Sequence, residues 1–128
     1  MEERLRESGL RITPQRLELL RVLEKHGKDH PSFSQVYEAV RTRLQSVSQS
    51  TVLKNMATFE DMGIVRSFSF RGETHYELNP KPHVNLIDAT GKIVDIEGGE
   101  IKKVLNELID TIKREAGIET KTLLVMVE

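Results

Sequence analysis

Residues 79–82 read Asn-Pro-Lys-Pro, and this short run constrains the fold more than any other. Proline has no backbone N–H, so two prolines one residue apart cannot continue a sheet ladder or sit inside a helix. The run therefore marks a boundary. It predicts a domain over 1–79, a hinge at 80–82 and a second domain over 83–128. A chain of 128 residues is long enough for two small domains that share surface.

The longer part predicts helices first and strands afterwards. Residues 1–8 read as a short charged helix that stops at Ser8-Gly9. Thr13-Pro14 supplies an N-cap and a proline at the first helical position, where the missing N–H costs nothing. Leu17, Leu20, Val22 and Leu23 then follow at helical spacing, and Gly27 ends the run. Lys28-Asp29-His30-Pro31 reads as a loop in which Pro31 biases His30 towards extended backbone. Phe33, Val36, Tyr37, Val40 and Leu44 form the stripe of a next helix, capped by Ser32 or Ser34. A third helix is expected from Ser48 as N-cap, with Val52, Met56 and Phe59 buried and Met62-Gly63 as its stop. Ile64–Phe70 and Glu73–Leu78 are β-rich runs joined by Arg71-Gly72, a hairpin signal.

The shorter part predicts strand, strand, helix, strand. His83–Ile87 and Lys92–Ile96 flank the turn residues Asp88-Ala89-Thr90-Gly91. After Gly98-Gly99, Ile101, Val104, Leu105, Leu108, Ile109 and Ile112 lie on one helical face, and Gly117 stops that helix. Thr120–Val127 is nearly continuous in apolar residues and reads as a strand buried on both faces. The predicted fold class is α+β: an N-terminal winged helix-turn-helix and a small C-terminal α/β dimerisation domain. The second half is too small to bury its own apolar stripe, so a second copy is the expected partner.

Composition removes several classes. There is no cysteine, which excludes disulfides, thiolate metal sites and a cysteine nucleophile. Any metal must be held by His, Asp, Glu or Asn. No apolar run approaches the ~20 residues of a membrane helix, and the charged first ten residues carry no signal-peptide core. A cytoplasmic protein without membrane contact is expected. Net charge is −1, but residues 10–72 hold 10 Lys+Arg against 6 Asp+Glu, so the basic excess lies in the first domain.

A helix that enters the major groove presents short polar and basic side chains near its N-terminus. The third helix offers Ser48, Gln49, Ser50, Thr51, Lys54 and Asn55. Gln and Asn can pair with adenine edges, and Lys reaches guanine or phosphate. Arg71 at the wing tip and Arg16 early in its helix are candidate backbone contacts. A polar helix face is more often only solvated; the order helix, helix, capped polar helix, basic-tipped hairpin is what points to DNA.

The stretches RITPQRLELLRVL (11–23), HPSFSQVYEAV (30–40), SQSTVLKNMATFEDMGIV (48–65), HYEL (75–78) and GKIVDI (91–96) resemble the ferric uptake regulator (Fur) family, in order and over almost the whole chain. The resemblance implies a homodimeric, metal-responsive repressor of palindromic double-stranded DNA operators, acting on metal-homeostasis or peroxide-response genes, and no enzyme. It also implies one divalent metal per subunit (Fe, Mn or Zn) at the interdomain hinge. Carried over by position, the ligands are His30, Glu77, His83, Asn85 and Asp95. His26 and His75 are expected to be bystanders, with His75 near enough to substitute for a ligand. Two departures stand out. Leu53 occupies a position where the family usually has a DNA-contacting tyrosine, and the paired CxxC motifs of a structural zinc are missing. Asn85, an amide where the family typically has histidine, keeps open an alternative: a metal-independent winged-helix regulator with a degenerate site.

Overall fold

The computed structural model describes residues 2–78, 81–120 and 122–128. The chain divides into two compact units, Met1–Asn79 and Pro80–Glu128. The start of the expected hinge, Pro80, lies outside the described residues, as do Asn79 and, in the expected last strand, Lys121.

The first unit holds four helices: α1 (Glu2–Glu7), α2 (Pro14–His26), α3 (Phe33–Arg41) and α4 (Gln49–Asp61). Each of the last three starts on an N-cap hydroxyl. Thr13 accepts from the N–H of Arg16, Ser32 from Gln35 and Ser48 from Thr51. Ser32 forms a full capping box, because the Gln35 side chain also accepts from the Ser32 N–H at 2.8 Å. Leu19, Leu20, Val22, Leu23, Val36, Val40, Val52, Met56 and Phe59 meet in one buried core. Leu5 joins them fully buried, so α1 is part of the core and not a charged appendage. Arg4 anchors it by donating to the carbonyls of Met62 and Gly63 at 2.8 and 3.3 Å, where α4 ends.

Gly27 ends α2 as expected, but without the left-handed backbone of a glycine cap. Its φ is −58°, and the chain continues into a turn of 3-10 helix, Gly27–Asp29, instead of a loop. The glycine is required by packing: a Cβ there would lie 2.6 Å from Leu78 Cδ1. Leu44, expected on the α3 stripe, falls beyond its end.

The hairpin is β1 (Arg66–Phe70) paired antiparallel with β2 (Glu73–Glu77). Arg71 and Gly72 have φ of 50° and 79°, the two positive values that a tight hairpin turn of matching twist demands. Glu60 near the end of α4 accepts from Ser67 N–H and Oγ at 3.2 and 2.6 Å, so the wing is tied directly to the helix before it.

The second unit contains β3 (Val84–Ile87), β4 (Ile93–Ile96), α5 (Gly99–Ala116) and β5 (Met126–Val127). Its sheet order is β4-β3-β5, with β3 antiparallel to β4 and parallel to β5. Asp88 organises the β3–β4 turn: its Oδ1 accepts from Thr90 Oγ1, Thr90 N and Lys92 N within 3.0 Å. The Thr90 hydroxyl and the Lys92 N–H hold its carboxyl below the usual aspartate range. The expected last strand is shorter than its apolar run. Among the described residues only Met126–Val127 pairs, with one further bond from Asn85 N to Val125 O, and Leu124 and Val127 are exposed. Those two exposures show that in a single chain the segment is not buried on both faces. Along α5 only Leu105 is buried, while Val104 is 56% and Leu108 42% exposed.

Candidate metal pairs and nucleic-acid interface

Two imidazole–carboxylate pairs are built, one in each unit. In the first, His30 Nε2 stands 3.6 Å from Glu77 Oε2, with both side chains essentially buried. His30 closes the 3-10 turn in left-handed backbone, φ 51° and ψ 57°, which reverses the extended conformation expected of a residue before proline. That placement costs on the order of 1–3 kcal/mol and persists only where surrounding bonds over-determine it. Those bonds come from β2. Tyr76 N–H donates to Pro31 O at 2.9 Å, Ser32 forms an isolated bridge with His75, and His75 Nδ1 donates to His30 O at 2.8 Å. Phe68 completes the clamp, its ring edge-on to His30 at 6.3 Å and stacked on His75 at 5.8 Å. His75, expected to be a bystander, therefore positions His30. Its place two residues before Glu77, on a strand whose alternate side chains share a face, is the signal that could have found it. Arg66 Nε lies 3.3 Å from Glu77 Oε1, on the other side of that carboxylate.

In the second pair, His83 Nε2 stands 3.6 Å from Asp95 Oδ1. His83 sits one residue before β3, outside the strand in which it was expected. Its Nδ1 donates to Lys81 O at 2.6 Å. This bond places the proton on Nδ1 and leaves the Nε2 lone pair facing the carboxylate in the neutral ring, the arrangement of a metal-ligating imidazole held by an outer partner. Asn85 is fully buried on β3, directly across the ladder from Asp95. At 3.6 Å both pairs are too long for direct hydrogen bonds. Two ligands of one cation at about 2.1 Å each stand about 3.0–3.4 Å apart, so each pair needs to close by only tenths of an ångström to share one ion. Within each pair an imidazole and a carboxylate are donors that suit Mn²⁺, Fe²⁺ or Zn²⁺.

The other candidate residues gather on α4 and its neighbours. Gln49, Ser50, Leu53, Lys54 and Ala57 are exposed, opposite the buried Val52, Met56 and Phe59. Leu53 is 55% exposed, an apolar side chain in the middle of a polar surface. Ser48 is committed to its cap, and its hydroxyl also bonds Thr51 Oγ1 at 2.9 Å. Asn55 is half-buried on the flank of α4, where its Oδ1 accepts from Arg16 Nε at 3.1 Å. Arg16 Nη1 donates to Arg11 O at 2.7 Å. Arg71 lies at the exposed hairpin tip with its guanidinium 4.9 Å over the Phe70 ring.

A helical core that ends in a capped polar helix and a two-stranded wing, followed by a small α/β unit, defines a winged helix-turn-helix regulator of α+β class. The chain belongs to the ferric uptake regulator family, whose model matches residues 7–127. It is similar to a ferric uptake regulation protein homolog of Archaeoglobus fulgidus, 38% identical over 127 residues, covering 98% of this chain and 92% of that one. Among solved structures it resembles a zinc-bound manganese uptake regulator, with 32% identity, a TM-score of 0.70, and 98% and 96% of the two chains covered. It also resembles the ferric uptake regulator of Pseudomonas aeruginosa with manganese, with 28% identity, a TM-score of 0.73, and 99% and 96% covered. The family consists of metal-responsive transcription regulators and not of enzymes; its members bind DNA and are generally dimeric. No described helix is long and apolar enough to cross a membrane.

Proposed function

We propose that this chain is a repressor that binds a palindromic DNA operator as a homodimer, and that one divalent cation per subunit sets its affinity. In this reading residues 1–79 read DNA, 83–128 dimerise and 80–82 form the hinge. His30 and Glu77 from one side, and His83 and Asp95 from the other, hold Mn²⁺, Fe²⁺ or Zn²⁺, with Asn85 as a further oxygen donor. The carrying observation is that each unit presents an imidazole Nε2 toward a carboxylate at the same 3.6 Å, with His83 further oriented through its outer nitrogen. A cation that needs ligands from both units favours one hinge angle over others, and its differential affinity is the free energy of the switch. That angle would set the separation of the two α4 helices and hence the fit to half-sites. Gln49, Ser50, Thr51 and Lys54 support direct contact to DNA through their place on α4, and Arg71 through its place at the wing tip. Such a regulator works in the cytoplasm on genes of metal homeostasis or peroxide defence.

Fluorescence anisotropy of a duplex from the promoter region, with excess Mn²⁺, Zn²⁺ or Fe²⁺ and with chelator, tests the switch. The expected result is affinity raised at least tenfold by metal, with His83→Ala and Asp95→Ala abolishing the gain. Tight binding that is the same with metal and with chelator leaves a metal-independent regulator in its place.

A further inference from the structure

Arg16 and Asn55 lie 39 residues apart in sequence and are joined by a hydrogen bond between α2 and α4. An asparagine that reads adenine uses both ends of its amide: Oδ1 accepts from N6–H and Nδ2 donates to N7. Here Oδ1 faces a guanidinium, a charged donor about twice as strong as a neutral one. The backbone geometry agrees. Asn55 stands on the helix flank beside buried Met56, while Ser50, Leu53 and Lys54 occupy the exposed face. The guanidinium is gripped at two of its three nitrogens, Nε by Asn55 and Nη1 by the Arg11 carbonyl. Its fork is thereby fixed in orientation beside the N-terminus of α2.

We infer that Asn55 is a positioning residue for Arg16, whose Nη2 edge contacts a DNA phosphate, and that Asn55 does not read a base. The inference rests on the DNA-binding reading above and assigns a different role to one residue within it. A guanidinium held in advance loses little freedom when it meets a phosphate, and two parallel N–H groups match that anion better than an ammonium would. The contact sets the register of α4 on the duplex and is blind to sequence.

The test uses the full chain and a duplex recovered by selection from a random-sequence pool. Arg16→Ala, Asn55→Ala and the double variant are compared on that duplex, on duplexes carrying single base-pair changes, and between about 50 and 200 mM salt. Arg16→Ala is expected to weaken binding about tenfold on every duplex and to reduce the salt slope by about 0.9. Asn55→Ala is expected to weaken all duplexes alike by a smaller factor, and the double variant to be no weaker than Arg16→Ala. A loss of discrimination at one base pair in Asn55→Ala overturns the inference and makes Asn55 a base reader. Additive losses overturn it too, as do variants that melt earlier but bind unchanged, because the pair is then only a structural staple. Should either alanine variant not fold, Arg16→Lys and Asn55→Asp replace them. The aspartate keeps the acceptor oxygen, and an effect confined to one base pair again overturns the inference. Failure to recover any duplex with the parent chain overturns the DNA-binding reading and this inference together.

Discussion

Single residues in this protein are held in unusual states by their neighbours. His30 adopts left-handed backbone next to a proline, and the loop survives because β2 bonds it at two successive carbonyls, His30 O and Pro31 O. The reward for that strain is position: the ring is buried with its Nε2 turned to Glu77. His75 supplies one of the two bonds through its side chain, so its removal frees His30 without touching a proposed ligand. His75→Ala is expected to lower metal affinity about 10–100-fold, as loss of an outer partner typically does. Titration of Mn²⁺ or Zn²⁺ by calorimetry measures this, and affinity equal to the parent chain's would place His75 outside the site.

At the scale of elements, side chains join pieces that backbone bonds do not. Glu60 ties the wing to α4, Arg4 ties α1 to its far end, and Arg16 with Asn55 ties α2 to its flank. Helix α4, the proposed reading helix, is thus gripped along its length, which is what fixed contact geometry requires. The β3–β4 hairpin depends on Asp88 in the same way. Its carboxyl is held below the usual range in the folded chain, so it contributes stability above the ordinary aspartate value of about 3.9 and loses that contribution as pH falls through the lower folded value. Melting temperature recorded from neutral to acid pH is expected to fall less steeply in Asp88→Ala than in the parent chain, with the variant the less stable of the two at neutral pH. Parallel curves would show that another acid controls this range. The capped helices and this turn were legible in the sequence, because their signals are local: Thr13-Pro14, Ser32 with Gln35, Ser48, and Asp88 before Gly91. The roles of Gly27, Leu5 and His75 were not legible, because each is set by a partner far away in the chain.

For the whole molecule, the decisive feature is apolar surface that one chain leaves uncovered. Val104 and Leu108 on α5 and Leu124 and Val127 beside the sheet edge are all at least 42% exposed, although they follow the pattern of a core. A second copy is the proposed cover, and with no cysteine in the sequence neither a disulfide nor a thiolate-held zinc can fasten that interface. Leu108→Glu is expected to shift the protein from dimer to monomer in analytical ultracentrifugation and to weaken operator binding more than tenfold, because two half-sites then bind separately. A variant that stays dimeric would move the interface away from α5.

The sequence by itself determined the order of elements, the wing turn at Arg71-Gly72 and the buried stripe of α4, while the ligand candidates came from the family resemblance. Periodicity, caps and turn residues act over a few positions, and a single chain displays them in full. Only the tertiary structure decided which side chains are occupied with one another. It turned His30 into left-handed backbone toward Glu77, set His83 on Lys81 O with its other nitrogen toward Asp95, and gave the Asn55 amide to Arg16. These pairings join residues up to 47 positions apart in the chain (His30 to Glu77), a distance at which propensity carries no information and packing alone selects the partner.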